Sequence, residues 1–328
     1  MAAVTTDPLE RLETALRAGA DAPRKRMRII VNPYATTVSD RLKNLVIYAL
    51  RGRYQVDAVD TESPAHATEV GRAAAREGYD VVVAFGGDGT VNEAANGLAS
   101  SETPLTCLPG GRTNVYCRML GIPTDVVDAT EHLLRMADDW RPRRVDLGEV
   151  NERKFLFSAG VGLDASVVEQ VEAHPRLKAR FGEWYYTATA LRTFNRRYLF
   201  NPPRLEASIG EERVTGVSVI VQNAAPYTFF GNIPVHMGEG AGLDSGDLAG
   251  VVLERASPID VPTIIWRALS KHAHFTRHRQ VHAFTGASGL RVSSLDDRPL
   301  PLQVDGDYIG EADEAVFRVT PAGLLVVA

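Results

Sequence analysis

Residues 81 to 97 read VVVAFGGDGTVNEAANG. A run of β-branched residues stops at Gly86, Gly87, Asp88, Gly89 and Thr90, and an alanine-rich segment of helical composition follows. A strand that opens into glycines ahead of a helix leaves backbone N–H groups near the helix N-terminus, which favours phosphate. The glycines let the backbone approach a bulky anion and reach positive φ. A carboxylate at this place repels phosphate unless a cation such as Mg2+ lies between them. The plain alternative is a tight strand–helix turn in which Asp88 caps the helix. The loop is neither GxxxxGK[ST] nor GxGxxG, so it matches neither common phosphate fingerprint.

Two more strand ends carry related chemistry. LPGGRTNVYCRMLGIP, residues 108 to 123, offers Gly110 and Gly111 for close approach, with Thr113 and Asn114 as polar groups. Arg112 either grips a phosphate or faces solvent. VNPY, residues 31 to 34, sets Asn32 at the end of the first strand. Open parallel sheets bind ligands beyond the carboxyl ends of their strands. Three such loops together therefore point to a nucleotide site.

The elements that must hold these loops alternate strand and helix from Met27 to about Val145. MRIIV, YQVDAVDT, DVVVAF and PLTCLP read as strands. SDRLKNLVIYALRG, PAHATEVGRAAAREG, VNEAANGLAS and DVVDATEHLLRMADD read as helices. The continuous apolar strands suit a parallel sheet covered on both faces. Past Val145 the rhythm becomes mostly β, with VDLGEV, KFLFSAGVG, RLEASIG, VTGVSVIVQN, LAGVVLE, VHAF, LRVSS and PLQVDGD as strands. DVPTIIWRALSKHAHF reads as a helix within that half. The division is a 1–26 extension, an α/β domain over 27–145 completed by 313–328, and a β-rich domain over 146–312.

The chain has 328 residues, enough for two domains. Its formal net charge of −5 supplies no basic field for a duplex, so nucleic acid is not an expected partner. The first residues lack the apolar core of a secretory signal. No stretch approaches the roughly 20 apolar residues that span a bilayer. The expectation is a cytoplasmic protein, with any membrane contact peripheral. Cys107 and Cys117 lack zinc spacing; one disulfide between them is conceivable but does not suit that compartment. His272, His274, His278 and His282 include an HxH step without a convincing further zinc ligand, so a satisfied or surface set is expected. Trp184, Tyr185, Tyr186, Phe194, Tyr198 and Phe200, with Arg192, Arg196 and Arg197, either cover the core or face a membrane.

The order NP, TESPAHA, GGDGTVNEAANG, LPGGRTNVYCRMLGIP and then VDGD near the C-terminus resembles the diacylglycerol kinase catalytic-domain family. The resemblance covers nearly the whole chain from about Arg24. GGDGT is its most specific motif and is shared with NAD kinases; LPxGxxN separates the lipid kinases from those. It implies an N-terminal nucleotide-binding α/β domain with a parallel sheet and a C-terminal β-sandwich-like domain, with ATP in the cleft between them. On this resemblance Gly86, Gly87, Asp88, Gly89 and Thr90 form the nucleotide loop. Thr61, His66, Gly111 and Asn114 match further nucleotide-side positions. Asp305 matches the acidic residue taken as general base. GLDSGDLAG resembles a segment that holds a structural Mg2+ in some bacterial members, which makes Asp244 and Asp247 candidate ligands beside Asp88, the candidate for the nucleotide's metal.

The chain departs from the family pattern at NPYATT, where NPxxG is frequent, and at Arg112 and Val115, where threonine and aspartate are usual. The implied function is an ATP- and Mg2+-dependent lipid kinase acting on a hydroxyl of diacylglycerol or a similar lipid at the inner face of the membrane. An NAD kinase-like enzyme and a non-catalytic nucleotide or lipid sensor remain as alternatives, and oligomeric state is open, a homodimer included.

Overall fold

The computed structural model describes residues 24–328 except 138, 175–184, 186, 187, 190, 191, 194–201, 256, 271, 272 and 297. Most of the expected N-terminal extension, most of the aromatic and arginine-rich segment, and His272 lie outside the described residues.

Strands β1 (Arg26–Val31), β2 (Gln55–Asp60), β3 (Val81–Gly86) and β4 (Leu105–Pro109) pair in parallel in the order β2-β1-β3-β4. Every residue of β3 is buried, as an apolar strand covered on both faces requires. Helices α1 (Asp40–Leu50), α2 (His66–Arg76), α3 (Asp88–Leu98), α4 (Val115–Met119) and α5 (Val126–Met136) connect or flank them. Ser39 caps α1 by accepting the Leu42 N–H at 3.2 Å. Asp125 caps α5 by accepting from Val127 and Asp128. Each such cap is worth about 1 kcal/mol. Helix α3 differs: Gly87 stands at its cap and supplies no side-chain acceptor, so its first N–H groups are open to a partner from outside the helix.

The second half contains β5 (Arg143–Val150), β6 (Arg153–Phe155), β7 (Ser158–Gly162), α6 (Leu163–Glu172), β8 (Leu205–Ile209), β9 (Glu212–Gly216), β10 (Ser218–Gln222), β11 (Thr228–Phe230), β12 (Ile233–Val235) and β13 (Leu248–Leu253). It continues with α7 (Val261–Leu269), β14 (Val281–Ala287), β15 (Gly289–Ser294), β16 (Leu300–Val304), β17 (Asp307–Ala312) and β18 (Glu314–Val326). A six-stranded antiparallel sheet runs β14-β13-β10-β7-β16-β17. It packs on the antiparallel part of the other sheet through Phe155, Val161, Val221, Val292 and Phe317, all buried. Phe155 and Phe317 meet edge to face at 6.4 Å, an arrangement worth about 0.5–1.5 kcal/mol beyond their buried area. The fold is thus an α/β domain with a mostly parallel sheet followed by an antiparallel β-sandwich-like domain.

The long strand β18 joins the halves. Its body runs antiparallel to β5 and β15, and its end pairs in parallel with β4 at Val326 and Leu105. Val327 then donates its N–H to the Leu105 carbonyl at 3.0 Å. The apolar C-terminus is therefore a strand at the domain seam. Helix α6 and the short α4 were not read from the sequence.

Candidate active site

The loops after β1, β3 and β4 stand at one edge of the parallel sheet, and the backbone ties them together. Gly110 donates to the Gly86 carbonyl at 2.8 Å, and Thr37 donates to the Gly110 carbonyl at 3.1 Å. Asn32 Nδ2 donates to Thr90 Oγ1 at 3.2 Å, while Asn32 Oδ1 accepts the Tyr34 N–H at 2.9 Å. Asn114, in the left-handed region at φ 49°, closes the third loop on itself. Its Oδ1 accepts the Gly111 N–H at 2.9 Å and its Nδ2 donates to the Gly111 carbonyl at 2.8 Å.

Asp88 caps a helix, but not its own. Its two carboxylate oxygens accept the N–H groups of Val115 and Tyr116, each at 3.0 Å, at the start of α4. The glycine loop and the third loop are thereby one unit. Burial pushes the Asp88 carboxyl up to about 6, against the pull of the Tyr116 and Val115 N–H groups, and the Asp307 carboxylate adds to the push.

These loops form one wall of a cleft of about 920 Å3 between the domains. Asn32, Thr61, Gly87, Asp88, Gly89, Thr90, Gly111, Arg112 and Thr113 line it, together with Asp305. His66, Gly86 and Asn114 do not. His66 Nδ1 accepts the Glu62 N–H at 3.1 Å and steadies the turn into α2. Gly86 lies beneath the Thr90 side chain, with no room for a Cβ. Phe157, Phe229, Phe230 and Val235 give the opposite wall its apolar surface.

The late acidic turn holds the principal surprise. Asp305 and Gly306 have φ of 49° and 86°, and Val304 pairs with Asp307, as in a two-residue hairpin of the primed type. Asp305 is only 4% exposed. Its Oδ1 accepts from Phe157 N at 2.9 Å and Ser158 N at 3.0 Å. Its Oδ2 accepts from Leu156 N and Asn92 Nδ2, both at 2.7 Å. Burial raises its carboxyl to about 6, while the Leu156, Phe157 and Ser158 N–H groups and the Asn92 amide pull it down. Four donors converge on this carboxylate and tie the hairpin turn to the backbone of residues 156–158 and to the Asn92 side chain. Asp307 is the carboxylate that reaches the glycine loop. A Cβ on Gly89 would collide with it, and Asp307 lines the cleft.

Other groups that the sequence reading passed over support this turn. Asn92 also donates to the Lys154 carbonyl at 2.9 Å and accepts from Arg153 Nη2 at 2.6 Å. Gln303 Oε1 accepts the Gly306 N–H at 2.9 Å, and Gln303 Nε2 donates to Asp164 at 2.6 Å. Asp164 also accepts the Tyr227 hydroxyl proton at 2.5 Å, and Tyr227 lines the cleft. The spacing Asn92–Asn96 on α3 was a readable signal, since two amides four apart face one side of a helix.

The expected metal ligands are not gathered into one cluster. Among the described residues no group of three or more His, Cys, Asp or Glu could hold a metal. Asp244 is exposed, and its loop is held by Asp146, which accepts the Gly246 N–H at 2.6 Å and the Ala322 N–H at 2.7 Å. Asp247 keeps one buried oxygen, Oδ1, without a hydrogen-bond donor. At the glycine loop, by contrast, the Asp88 carboxylate stands near Asp307 at the open N-terminus of α3, a place that fits a divalent cation accompanying phosphate. The histidines are dispersed: His274 bonds Glu239 at 2.6 Å, His278 bonds Thr263 at 3.1 Å, and His282 lies 3.4 Å from Glu212. Cys107 and Cys117 are free, buried thiols in contact at 2.9 Å.

Fold and cleft together define an α/β domain with glycine loops followed by a β-sandwich-like domain, and comparison with known proteins agrees. The diacylglycerol kinase catalytic domain model matches residues 26–150, and the YegS C-terminal NAD kinase beta sandwich-like domain model matches residues 158–328. The chain belongs to the diacylglycerol kinase catalytic-domain family, a family of kinases. A Staphylococcus aureus protein named diacylglycerol kinase is 29% identical over 88% of each chain. One of the same name from Staphylococcus saprophyticus is 28% identical over 88% of this chain and 90% of its own. A crystal structure titled as a diacylglycerol kinase from Bacillus anthracis superposes with a TM-score of 0.67 at 18% identity, covering 94% of this chain and 98% of that one. A second structure from Bacillus anthracis gives 0.72 at 19% with the same coverage. Among the described residues no helix is long and apolar enough to cross a membrane.

Proposed function

We propose that this protein transfers the γ-phosphate of ATP to a hydroxyl of diacylglycerol or a similar lipid, with Mg2+ accompanying the nucleotide. The observation that carries this reading is the meeting of Asp307 with Gly89 across the cleft. An acceptor carboxylate and a phosphate loop are brought to one point, beside an apolar wall suited to acyl chains.

Phosphoryl transfer is mostly positioning and charge neutralisation. The uncapped N–H groups at the start of α3 would hold phosphate oxygens, and Gly87 and Gly111, packed against each other, line the cleft beside them. Arg112 and Thr113, both lining the cleft, would add donors at the third loop. Asp88 would hold the cation, which when bound would supply charge neutralisation for the phosphates. Asp307 would take the proton of the attacking hydroxyl, a contribution of about 10² to 10⁴ in rate. Asp305 would keep the turn in place from beneath, and Phe229, Phe230 and Val235 would exclude water from the acceptor side.

The test is incubation of the full chain with γ-labelled ATP, Mg2+ and dispersed diacylglycerol, with NAD offered in a parallel reaction. Labelled phosphatidic acid is the expected product. Label on NAD alone, or on neither acceptor nor any component of a total lipid extract, would reject the reading.

A further inference from the structure

Helix α7 has two apolar faces, and the sandwich covers only one. Ile264 and Ala268 pack inward against Val251, Phe275 and Val281. On the opposite side Pro262 and Trp266 are exposed, Trp266 at 60%, and Ile259 in the preceding turn is 82% exposed. Positions 259, 262 and 266 fall on one side at helical spacing. An exposed tryptophan on this short helix and an exposed isoleucine in the turn before it are a surface that water does not favour.

The charges around it are one-sided. From residue 254 to residue 282 the sequence carries Arg255, Arg267, Lys271, Arg277 and Arg279 against Glu254 and Asp260, in a chain whose formal net charge is −5. Arg255, Arg277 and Arg279 are exposed. Asp260 is buried and paired with Arg279 at 2.6 Å. Glu239 joins from another segment and is bonded to His274 and Thr276. Tryptophan with an arginine rim is the composition of helices that lie in a lipid headgroup region. A second copy of the chain fits less well: a stable dimer buries about 800 Å2 per partner, far more than three side chains supply.

The location completes the argument. Helix α7 packs on β12, and Val235 of β12 belongs to the apolar wall of the cleft, as do Phe229 and Phe230 of the paired strand β11. We infer that the Ile259–Trp266 face of α7, with its arginine rim, seats this protein on an anionic lipid surface and turns the apolar side of the cleft toward the bilayer. The inference rests on the lipid-kinase reading of the cleft, but it concerns a different surface. It is also independent of residues 180–200, where the sequence suggested a membrane-facing segment.

The experiment is sedimentation of the full chain with phosphatidylcholine vesicles and with vesicles that also contain phosphatidylglycerol. Wild type is compared with an Ile259→Ser/Trp266→Ser variant, whose substitutions are exposed and should leave the fold intact by circular dichroism. Both are also assayed on a short-chain, water-soluble diacylglycerol. Wild type is expected to bind the anionic vesicles and to be released by salt. The variant should lose about tenfold or more of that binding, given the apolar area removed, and should phosphorylate the soluble acceptor at the wild-type rate. Equal vesicle binding by both proteins would overturn the inference, as would absence of binding by wild type. A wild-type dimer dispersed by the substitutions, without vesicle binding, would assign the face to a second copy and overturn it too. Vesicle binding lost in the variant, with no phosphorylation of the soluble acceptor by either protein, would uphold the surface and reject the kinase reading instead.

Discussion

Asp305 accepts a hydrogen bond from the Asn92 side chain at 2.7 Å, across 213 positions of sequence. One residue lies on the helix that follows the glycine loop, and the other on the hairpin turn that carries Asp307. The bond joins the two sides of the cleft.

Asn92→Ala removes the donor to Asp305 and the acceptor of Arg153, both buried or half-buried. Each polar group left without its partner costs about 1–3 kcal/mol. Urea unfolding should show a loss in that range, with turnover falling because Asp307 is less well placed. Unchanged stability would remove Asn92 from the seam.

Asp305→Asn should behave as a structural substitution. Four donors converge on the carboxylate. An amide offers them one oxygen and opposes them with an NH2 group, so stability should drop by about 2 kcal/mol or more. A variant with native thermal stability and turnover reduced a hundredfold would restore Asp305 as the base.

The buried carboxylates also set a pH dependence. Asp88 and Asp305 each rise from 3.8 to about 6 in the folded chain. Between those values the native state holds more protons than the unfolded state, so these groups make stability fall as pH rises through the window. Below it, where both states are protonated, their unfavourable contribution is absent; above about pH 6 it is present in full. Asp88→Asn should flatten the slope between about pH 4 and 6 in urea titrations. An unchanged slope would show that Asp88 titrates near its ordinary value.

Gly89→Ala places a methyl group against the Asp307 carboxylate. The expected result is a kcat lowered about tenfold or more, since small displacements at a reacting centre cost this much. In an Asp307→Asn background the same substitution should cost far less, because the two residues act through one contact. Additive losses would place Gly89 and Asp307 in separate roles.

The parallel sheet and its three loops were legible because glycine, asparagine and apolar runs carry local signals. The partner of Asp88 was not. A carboxylate at a helix start reads as a cap of its own helix, and only the tertiary fold brings Val115 and Tyr116 under it. The choice between Asp305 and Asp307 was hidden for a similar reason. Both flank Gly306, and the N–H groups that engage Asp305 lie 147 to 149 positions away in sequence, at Leu156, Phe157 and Ser158. The sequence returns residues 313–328 to the α/β domain, but the pairing of β18 with β4 depends on contacts more than 200 residues apart, as between Leu105 and Val326. Helix α6 follows a strand without a side-chain cap at Gly162, so no N-terminal signal marked it.

The most direct test of the account is turnover of Asp307→Asn with γ-labelled ATP, Mg2+ and diacylglycerol, beside wild type and with ATP affinity measured separately. The account predicts labelled phosphatidic acid from wild type. It predicts a loss of about 10²-fold or more in the variant, with ATP affinity and thermal stability nearly unchanged. Near-normal turnover by Asp307→Asn, or no lipid product from wild type, would contradict it.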